Sequence, residues 1–587
     1  MDGFMLNKEI IIKTENAINK LINVFNNRIP MPPHIKHLAD IEQLTSGKGI
    51  NYISETDNYW KLGYNECSIK PLDIDSKRYF VGGNISVPPR KITHVIDDIK
   101  VRTIALSTEH SKVIVLSVID CIGLSSPYVS VIREHLADFC KLNSIITINV
   151  FSTHCHSSID SLGIWSTGVK DFFLNYMSAR HDKIPKPTID TCFINMVLKK
   201  VEDSIIAAVK NMKLGRLFLL EIGNKSSNEI NEIIKNSIDT YDNEKDCVKK
   251  ERWQNEFSKL DISETGLYEY IFSKRYPYDF SPRITRIRFK PIDESVRETI
   301  IISISAHPYS NGLKIRGEGK GNGLSGDFIY YMEETFNNNN CNMIFFNGAI
   351  GGIYPKRKAV KDSKIGLKEQ TKIIGNEFAG IALSANMTYK EILSNKTTCP
   401  SDKSLAYKNV INHKKADHPL EEKEIKAVFK TCNKKVKLKC SNPIEQIIGK
   451  LNLAQFNLFS TPTKDLYVGS EIGYIQLGNE FNIVFVPGEM TNSLFDGHYD
   501  YKMFNNSNNN VNSIIDIFGE KTVVFGLAND AIGYIIHPDD YCMVYAGNGF
   551  FSKLVFGQHF THYQEIFSLG KETAGKLLVE YTELFNN

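Results

Sequence analysis

The chain lacks several features that would place it in a broad class at once. No apolar run in its 587 residues approaches the length needed to span a bilayer. The formal net charge is only +3, so there is no excess of basic residues of the kind that binds nucleic acid. The eleven cysteines are an odd number and include no Cys-x-x-Cys pair, which favours reduced thiols over a disulfide framework or a structural zinc site.

The first thirty residues also lack the uncharged core of a secretory signal, because charged residues interrupt the apolar ones. We therefore expect a cytoplasmic protein without a transmembrane segment. Residues 8–27 have the apolar stripe of an amphipathic helix, which a proline cluster brings to an end. Residues 34–75 show no clear period, so 1–75 is interpreted as an N-terminal extension of helical and irregular structure.

Strand and helix patterns alternate through most of the remaining chain. Two β-branched runs, 101–106 and 113–119, precede a helical stretch that Pro127 opens, and 145–150 is the next strand. This order, which recurs later in the chain, predicts an α/β fold with mixed, mostly parallel sheet layers and flanking helices. Ligand sites in such folds lie at the carboxyl ends of the strands. We expect residues 76–587 to form the catalytic domain.

Two intervals interrupt the alternation. Residues 225–282 are charged and Asn-rich, and residues 390–445 are Lys-rich with little hydrophobic period. Both are interpreted as solvated insertions. A lid over a site is the alternative for the first interval, because it carries aromatic residues such as Trp253. The cluster from Asn505 to Asn510 predicts a flexible surface loop.

Two histidines one residue apart give the strongest chemical signal. His154 and His156 directly follow the strand at 145–150, and in an extended segment residues i and i+2 point to the same side. One imidazole could therefore bind a metal while the other moves a proton. His307 and Glu489 also follow apolar strands, and two imidazoles with a carboxylate suit zinc with a position left for water or substrate. Idle surface or core histidines are the alternative, because no compact H-E-x-x-H signature occurs.

These segments resemble the neutral/alkaline non-lysosomal ceramidase family. Residues 153–157, Thr-His-Cys-His-Ser, are similar to its Thr-His-Thr-His-Ser-Gly motif, and 306–310 are similar to its second zinc-histidine segment. Residues 486–489 resemble the Pro-Gly-Glu segment that supplies a carboxylate ligand. Residues 526–534 resemble the late signature, in which the aromatic position matching Tyr534 is a metal ligand. The four segments occur in family order.

The resemblance implies a zinc-dependent amidohydrolase of the catalytic-domain type, without the carboxy-terminal immunoglobulin-like domain of longer members. It implies one Zn²⁺ per chain, held by His154, His307, Glu489 and Tyr534. His156 would be the second, non-ligand histidine at the reacting centre, and Tyr563 the tyrosine beside the scissile amide. In the family, metal-bound water attacks a ceramide-like amide and releases a fatty acid and an amine. The partner would be a small or lipid-like N-acyl substrate.

One matched turn departs from the family. Its Gly-Asp-Val-Ser-Pro is Gly-Gly-Ile-Tyr-Pro at 351–355, so Tyr354 stands where the family has a substrate-contacting serine. Trp165 belongs to an aromatic-rich segment, 161–177, that we expect to line an apolar acyl pocket, with core packing as the alternative. Two other functions stay open. One is a zinc hydrolase of an ester or peptide bond, and the other is a metal-binding homologue without catalytic activity.

Overall fold

The computed structural model describes residues 2–45, 49–83, 86–222, 271–273, 275, 283–310, 322–355, 366–386, 420–497, 511–541, 543 and 563–586. Trp253 and the cluster from Asn505 to Asn510 lie outside these ranges. No helix in the described ranges is both long and apolar enough to cross a membrane.

The strands of the described residues, in chain order, are β1 (Lys36–His37), β2 (Ile50–Ile53), β3 (Trp60–Ser68), β4 (His94–Val95), β5 (Lys100–Thr108), β6 (Val113–Ile119), β7 (Ile145–Ser152), β8 (Lys213–Ile222), β9 (Ile271–Ser273), β10 (Ile284–Pro291), β11 (Glu298–Ile304), β12 (Gly323–Leu324), β13 (Cys341–Asn347), β14 (Ile353–Pro355), β15 (Lys423–Ile425), β16 (Phe429–Cys440), β17 (Leu458–Ser460), β18 (Leu466–Leu477), β19 (Phe481–Phe485), β20 (Glu489–Met490), β21 (Thr522–Phe525) and β22 (Tyr534–Ile535).

The helices are α1 (Asp2–Arg28), α2 (Leu38–Thr45), α3 (Ser126–His135), α4 (Ala137–Leu142), α5 (Val169–Arg180), α6 (Thr191–Lys210), α7 (Asp327–Asn338), α8 (Leu367–Ser384), α9 (Pro443–Lys450), α10 (Asn492–Asp496), α11 (Ile514–Phe518) and α12 (Glu572–Asn586), with one 3-10 helix at Gln564–Phe567.

Two mixed sheets form the centre of the molecule. The larger has the order β13-β11-β10-β8-β3-β5-β6-β7, with β15 paired to β8. The smaller has the order β1-β17-β18-β16-β2, and β19 joins β18 to β21. Most neighbours in both sheets are antiparallel. The predicted α/β fold with mixed sheets and flanking helices is confirmed, although parallel pairing is confined to a few places.

Three of the parallel pairs are the ones that matter for the site. They are β6 with β7, β11 with β13, and β19 with β21, and helices lie between the two strands of each pair in the chain. A parallel pair requires such a crossover, and the strand–helix–strand pattern of the first two pairs was predicted from the sequence. Their carboxyl ends carry the polar loops described below.

The inner faces of the two sheets pack against each other through one shared apolar core. Near the strand ends this core is aromatic. The rings of Phe346 and Phe525 stack with centroids 4.1 Å apart, and Phe151 meets Phe485 edge-on at 5.2 Å. These residues come from β13, β21, β7 and β19, so the four strands that lead to the site are fixed to one another by buried rings.

Helices cover the outer faces. Helix α6 packs on the half of the larger sheet that contains β5 to β7, and α7 and α8 pack on the half that contains β11 and β13. Helix α12 covers the smaller sheet. The result is a layered arrangement of helices, sheet, sheet and helices in which each apolar face is buried.

The early residues contribute to both sheets. Strands β1 and β2 belong to the smaller sheet and β3 to the larger one, so 1–75 is part of the folded body and not only a peripheral extension. The division of the chain at residue 75 stays a prediction.

The Lys-rich interval 390–445 also differs from its interpretation where it is described. Strand β16 lies between β18 and β2, and Val436 and Leu438 are buried while Lys435 and Lys439 are exposed. Lys435, Lys437 and Lys439 alternate with buried apolar residues in a half-buried strand, and this strand is therefore not a solvated insertion. In the other interval, β9 pairs with β14 and Arg275 is buried. No other residue of 225–282 is described.

Candidate metal and active site

The loop after β7 brings two imidazoles together. His154 has a φ of 59°, so the segment is not extended, and the alternation of a strand does not explain the shared direction of the rings. Backbone hydrogen bonds hold the turn instead. The amide of Cys155 donates to Cys121 at 3.1 Å, and the amide of His156 donates to Pro308 at 3.0 Å. The rings of His154 and His156 meet edge to face, with centroids 4.7 Å apart.

His307 follows β11 and is held by the Gly-rich turn before β14. Both its backbone amide and its Nδ1 donate to the carbonyl oxygen of Ile353, at 3.1 and 2.6 Å. The ring of Tyr354 stacks on the His307 imidazole, with centroids 4.5 Å apart and planes within 10°. The turn therefore fixes both the tautomer and the orientation of His307, with its Nε2 facing away from the turn.

Glu489 lies between the two imidazoles. Its Oε1 is 3.3 Å from His154 Nε2, and its Oε2 is 2.9 Å from His307 Nε2. Burial alone would raise the pKa of Glu489, but the two imidazoles, when protonated, hold it below the usual range of a carboxyl. His154 Nδ1 donates to the Ile122 carbonyl at 2.7 Å, so both rings are fixed through Nδ1.

This arrangement fits a bound cation. A backbone carbonyl only accepts, so Nδ1 of His154 and of His307 must carry the proton, and each neutral ring then presents an Nε2 lone pair. Two such lone pairs converge on a carboxylate, which is also an electron-pair donor. Imidazoles whose other nitrogen donates to a carbonyl are typical of metal sites. His154, His307 and Glu489 could therefore hold a divalent metal.

Tyr534 is placed beside Glu489 by strand pairing. The two residues are register partners in the parallel pair β20–β22, and the Glu489 amide donates to the Gly533 carbonyl at 2.9 Å. Burial and the nearby Glu489 charge hold the pKa of the Tyr534 phenol well above its ordinary value. A phenol oxygen thus lies on the same side of the site as the carboxylate.

His156 is the third buried imidazole. A nitrogen of His156 lies within 4.8 Å of ligand nitrogens of both His154 and His307, so the group of three could also hold a metal. Neither of its ring nitrogens makes a hydrogen bond of ordinary geometry within the described chain. Burial, with the neighbouring imidazoles, holds the pKa of His156 well below its ordinary value. Gly83, at a φ of 87°, leaves room for this ring, since a Cβ there would lie 2.3 Å from Nδ1.

Three tyrosine hydroxyls meet on the other side of the site. The hydroxyls of Tyr354 and Tyr563 are hydrogen-bonded, and Tyr534 lies 3.4 Å from Tyr563, oxygen to oxygen. Burial raises the pKa of Tyr563 to about 12, so its phenol stays protonated at neutral pH. Tyr563 therefore lies next to Tyr534. Tyr354 contacts Tyr563 through its hydroxyl and His307 through its ring.

A buried arginine fixes the segment that carries Tyr563. The guanidinium of Arg275 donates to Asp540 Oδ2 and to Glu565 Oε1, both at 2.8 Å, and to Gln564 Oε1 at 3.2 Å. Asn442 adds hydrogen bonds from its Nδ2 to three carbonyls of residues 565–568. The turn after Tyr563 is thus held from two sides.

The candidate site opens into one cavity of about 410 Å³. Three members of the candidate metal group line it, namely His154, Glu489 and Tyr534, whereas His307 is fully buried and does not. The wall also includes His156, Tyr563, Tyr354 and Trp165, with Leu162 and Ile164 next to Trp165. The later aromatic residues of the 161–177 segment do not line the cavity. Phe172 and Tyr176 pack against α1 through Phe25, and Phe173 is 60% exposed because α5 turns away from the cavity.

Several cavity residues were not found from the sequence. Tyr309 lies with its ring 4.7 Å from that of His156, and its position two residues after His307 repeats the spacing of His154 and His156. Glu445 also lines the cavity. It was hidden in the Lys-rich interval, although an Asn-Pro pair just before it is a typical helix start.

Comparison with solved structures finds ceramidases among the similar folds. The crystal structure of neutral ceramidase from Pseudomonas aeruginosa has a TM-score of 0.53 at 11% identity, over 90% of this chain and 74% of that one. A ceramidase complexed with C2 has a TM-score of 0.52 at 11% identity, over 90% and 75% of the two chains. No protein-family model and no curated protein matches the sequence. The likeness shows that the chain has the ceramidase fold.

Proposed function

We propose that this protein is a zinc-dependent hydrolase that cleaves an N-acyl amide. The observation that carries the proposal is the convergence of His154 and His307 on Glu489, beside a cavity that is lined by His154, Glu489, His156 and Tyr563. The structures of similar fold are ceramidases, whose reaction is the hydrolysis of an amide. Ceramide itself is one candidate within the class of N-acyl substrates.

The proposed ligands are Nε2 of His154 and His307, the Glu489 carboxylate and the Tyr534 phenol. Zinc held by nitrogen and oxygen ligands of this kind acts as a Lewis acid and lowers the pKa of a coordinated water. Because the two Nδ1 atoms are tied to backbone carbonyls, the ligand set is oriented before any ion binds.

His156 is the proposed acid–base group. Its neutral imidazole makes no hydrogen bond of ordinary geometry within the described chain and lies against His154, so it can accept a proton from the attacking water. The new bond joins the water oxygen to the acyl carbon, and the carbon–nitrogen bond then breaks. His156 returns the proton to the departing nitrogen, so the products are a carboxylic acid and an amine.

Tyr563 is the proposed donor to the oxygen of the tetrahedral intermediate. Its phenol is held by Tyr354 and stays protonated at neutral pH, as a donor to an oxyanion must. The apolar wall at Leu162 and Trp165 is proposed to bind the acyl chain and to exclude water.

The proposal is tested by measuring metal content and hydrolysis on the same preparation. The purified chain is expected to contain about one zinc per molecule and to release amine from N-acyl amides, with loss of activity on chelation and recovery with zinc. His307→Ala should abolish both metal and activity. His135→Ala, at an exposed histidine outside the cavity, is the control and should keep both.

Acyl esters and peptides matched to the amide distinguish the other functions. Hydrolysis of the ester or peptide alone would reject the amide assignment. Retained zinc with no turnover of any substrate would identify a metal-binding protein without catalytic activity.

A further inference from the structure

A carboxyl group lies in the cavity wall without a partner. Glu445 belongs to the first turn of α9, and the residue is only 4% exposed. Its Oε2 has no hydrogen-bond partner within the described chain. Burial alone raises its pKa to about 8, because no positive group offsets the cost of desolvation. Leaving such a group unpaired in the protein interior is unfavourable, so its position needs a reason.

Helix capping does not explain why Glu445 is buried without a partner for its Oε2. The N-cap residue Asn442 already accepts a hydrogen bond from the Ile444 amide at 3.0 Å. The helix dipole stabilises an acidic side chain in the first turn by less than it costs to bury that side chain unpaired. Lys450, on the same helix, is committed elsewhere, since its Nζ donates to the side chain and backbone of Asn26 at 3.0 and 3.2 Å.

The surroundings of Glu445 have the chemistry of a cation site. Gln455 lines the same cavity, and its Nε2 donates to Asn452 Oδ1 at 3.0 Å, so that its carbonyl oxygen is available as an acceptor. Trp165 and Phe456 also line the cavity. A carboxylate, an amide oxygen and aromatic rings together suit a protonated amine, which needs acceptors and gains from ring faces.

We infer that Glu445 and Gln455 bind a protonated amino group of the substrate, so that the amide cleaved carries a second, cationic amine. This inference rests on the proposed function, because it names the class of N-acyl amide that the site selects. The substrate class is an acylated diamine, with the acylated nitrogen at the metal group and the free ammonium at Glu445. Binding of the cation favours the ionised form of the Glu445 carboxyl, which burial alone disfavours.

A pair of substrates differing at one end tests the inference. N-octanoyl-1,6-diaminohexane carries a terminal ammonium, and N-octanoyl-heptylamine carries a methyl group in its place. We expect wild-type kcat/KM to favour the ammonium substrate at least tenfold, and Glu445→Gln to lower that ratio at least tenfold. Glu202→Gln, at a buried carboxyl outside the cavity that is paired with His135, should leave the ratio unchanged. A wild-type ratio near one, or equal losses for both substrates in Glu445→Gln, would overturn the inference.

Binding separates this inference from the failure of amide hydrolysis. If neither amide is cleaved, calorimetry with hexylammonium and with hexan-1-ol still reports on the site. Tighter binding of hexylammonium that Glu445→Gln removes would support the cation site and reject only the reaction. Equal binding of the two probes would reject the site. A structural role for Glu445 would show as a lower melting temperature of Glu445→Gln with an unchanged substrate ratio, and this result would also reject the site.

Discussion

Glu489 and Tyr534 are direct register partners in the parallel pair β20–β22, so that a carboxylate and a phenol enter the site side by side. The pair is only two residues long in each strand. It is held by backbone hydrogen bonds, from Glu489 to Gly533 at 2.9 Å and from Thr491 to Ile535 at 3.0 Å. Two loops that follow different strands of the smaller sheet are thereby locked into one side of the candidate metal site.

The first prediction concerns the carboxylate between the imidazoles. Glu489→Gln keeps the size of the side chain but removes the charge that faces His154 and His307. We expect zinc affinity to fall at least about tenfold to a hundredfold, the scale seen when support for a metal ligand is lost. Competition with a zinc chelator measures the change. Glu202→Gln is the control, and an unchanged affinity in Glu489→Gln would remove Glu489 from the ligand set.

A second prediction separates the two possible roles of His156. If it is the acid–base group, His156→Ala should keep its zinc and lose at least about a hundredfold in kcat. If it is a ligand in place of Tyr534, the same variant should lose zinc. The metal content of His156→Ala and of Tyr534→Phe, measured after dialysis, decides whether Tyr534 or His156 belongs to the ligand set. Full activity in a zinc-loaded His156→Ala would exclude both roles.

The local features of the fold were predictable from the sequence. Apolar runs such as 113–119 and 145–150 and the helices between them are patterns of neighbouring residues, and the units β6–β7 and β11–β13 follow from them. Between β19 and β21 the strands were predicted but the short helices α10 and α11 were not. The antiparallel strands between these units were not predicted as such. Strand β16 was missed, because five lysines in a half-buried strand resemble a solvated segment when the partner strands are unknown.

The geometry of the site was less accessible. His307 and Glu489 are 182 residues apart and meet only because the two sheets pack face to face. The residues named from the sequence do line one cavity, apart from His307, which is buried against Glu489, but the family resemblance brought them together, not their spacing. Glu445, with no motif around it, gave no sequence signal of a place in the cavity wall. Whether His156 acts as base or ligand is a matter of distances that no sequence pattern records.

A third prediction concerns the apolar part of the cavity. Trp165 lines the wall with Leu162 and Ile164, so Trp165→Ala removes a large contact surface for an acyl chain. We expect KM to rise severalfold more for octanoyl and longer amides than for acetyl amides, with little change in kcat. Phe173→Ala is the control, since Phe173 is 60% exposed on α5 outside the cavity. Equal changes for long and short chains would show that Trp165 does not contact the acyl group.

The last prediction concerns the arginine that holds the Tyr563 segment. Arg275→Met removes a buried cation and leaves the carboxylates of Asp540 and Glu565 without their counter-charge. Removing one partner of a buried ion pair costs about 3–5 kcal/mol, so the free energy of unfolding in urea should fall by that order. Arg216→Met is the matched control. Arg216 pairs with Glu424 at the surface, where such a pair contributes about 0–1 kcal/mol.

The same variant should also lower amide hydrolysis while zinc is retained. Arg275 contacts Gln564 and Glu565 but no proposed ligand, so its loss should release Tyr563 from its place and leave the metal group intact. We expect kcat to fall and zinc content to stay near that of the wild type under conditions where Arg275→Met is folded. If zinc is lost together with activity, the Arg275 network supports the whole site. If kcat is unchanged, the position of Tyr563 does not depend on Arg275.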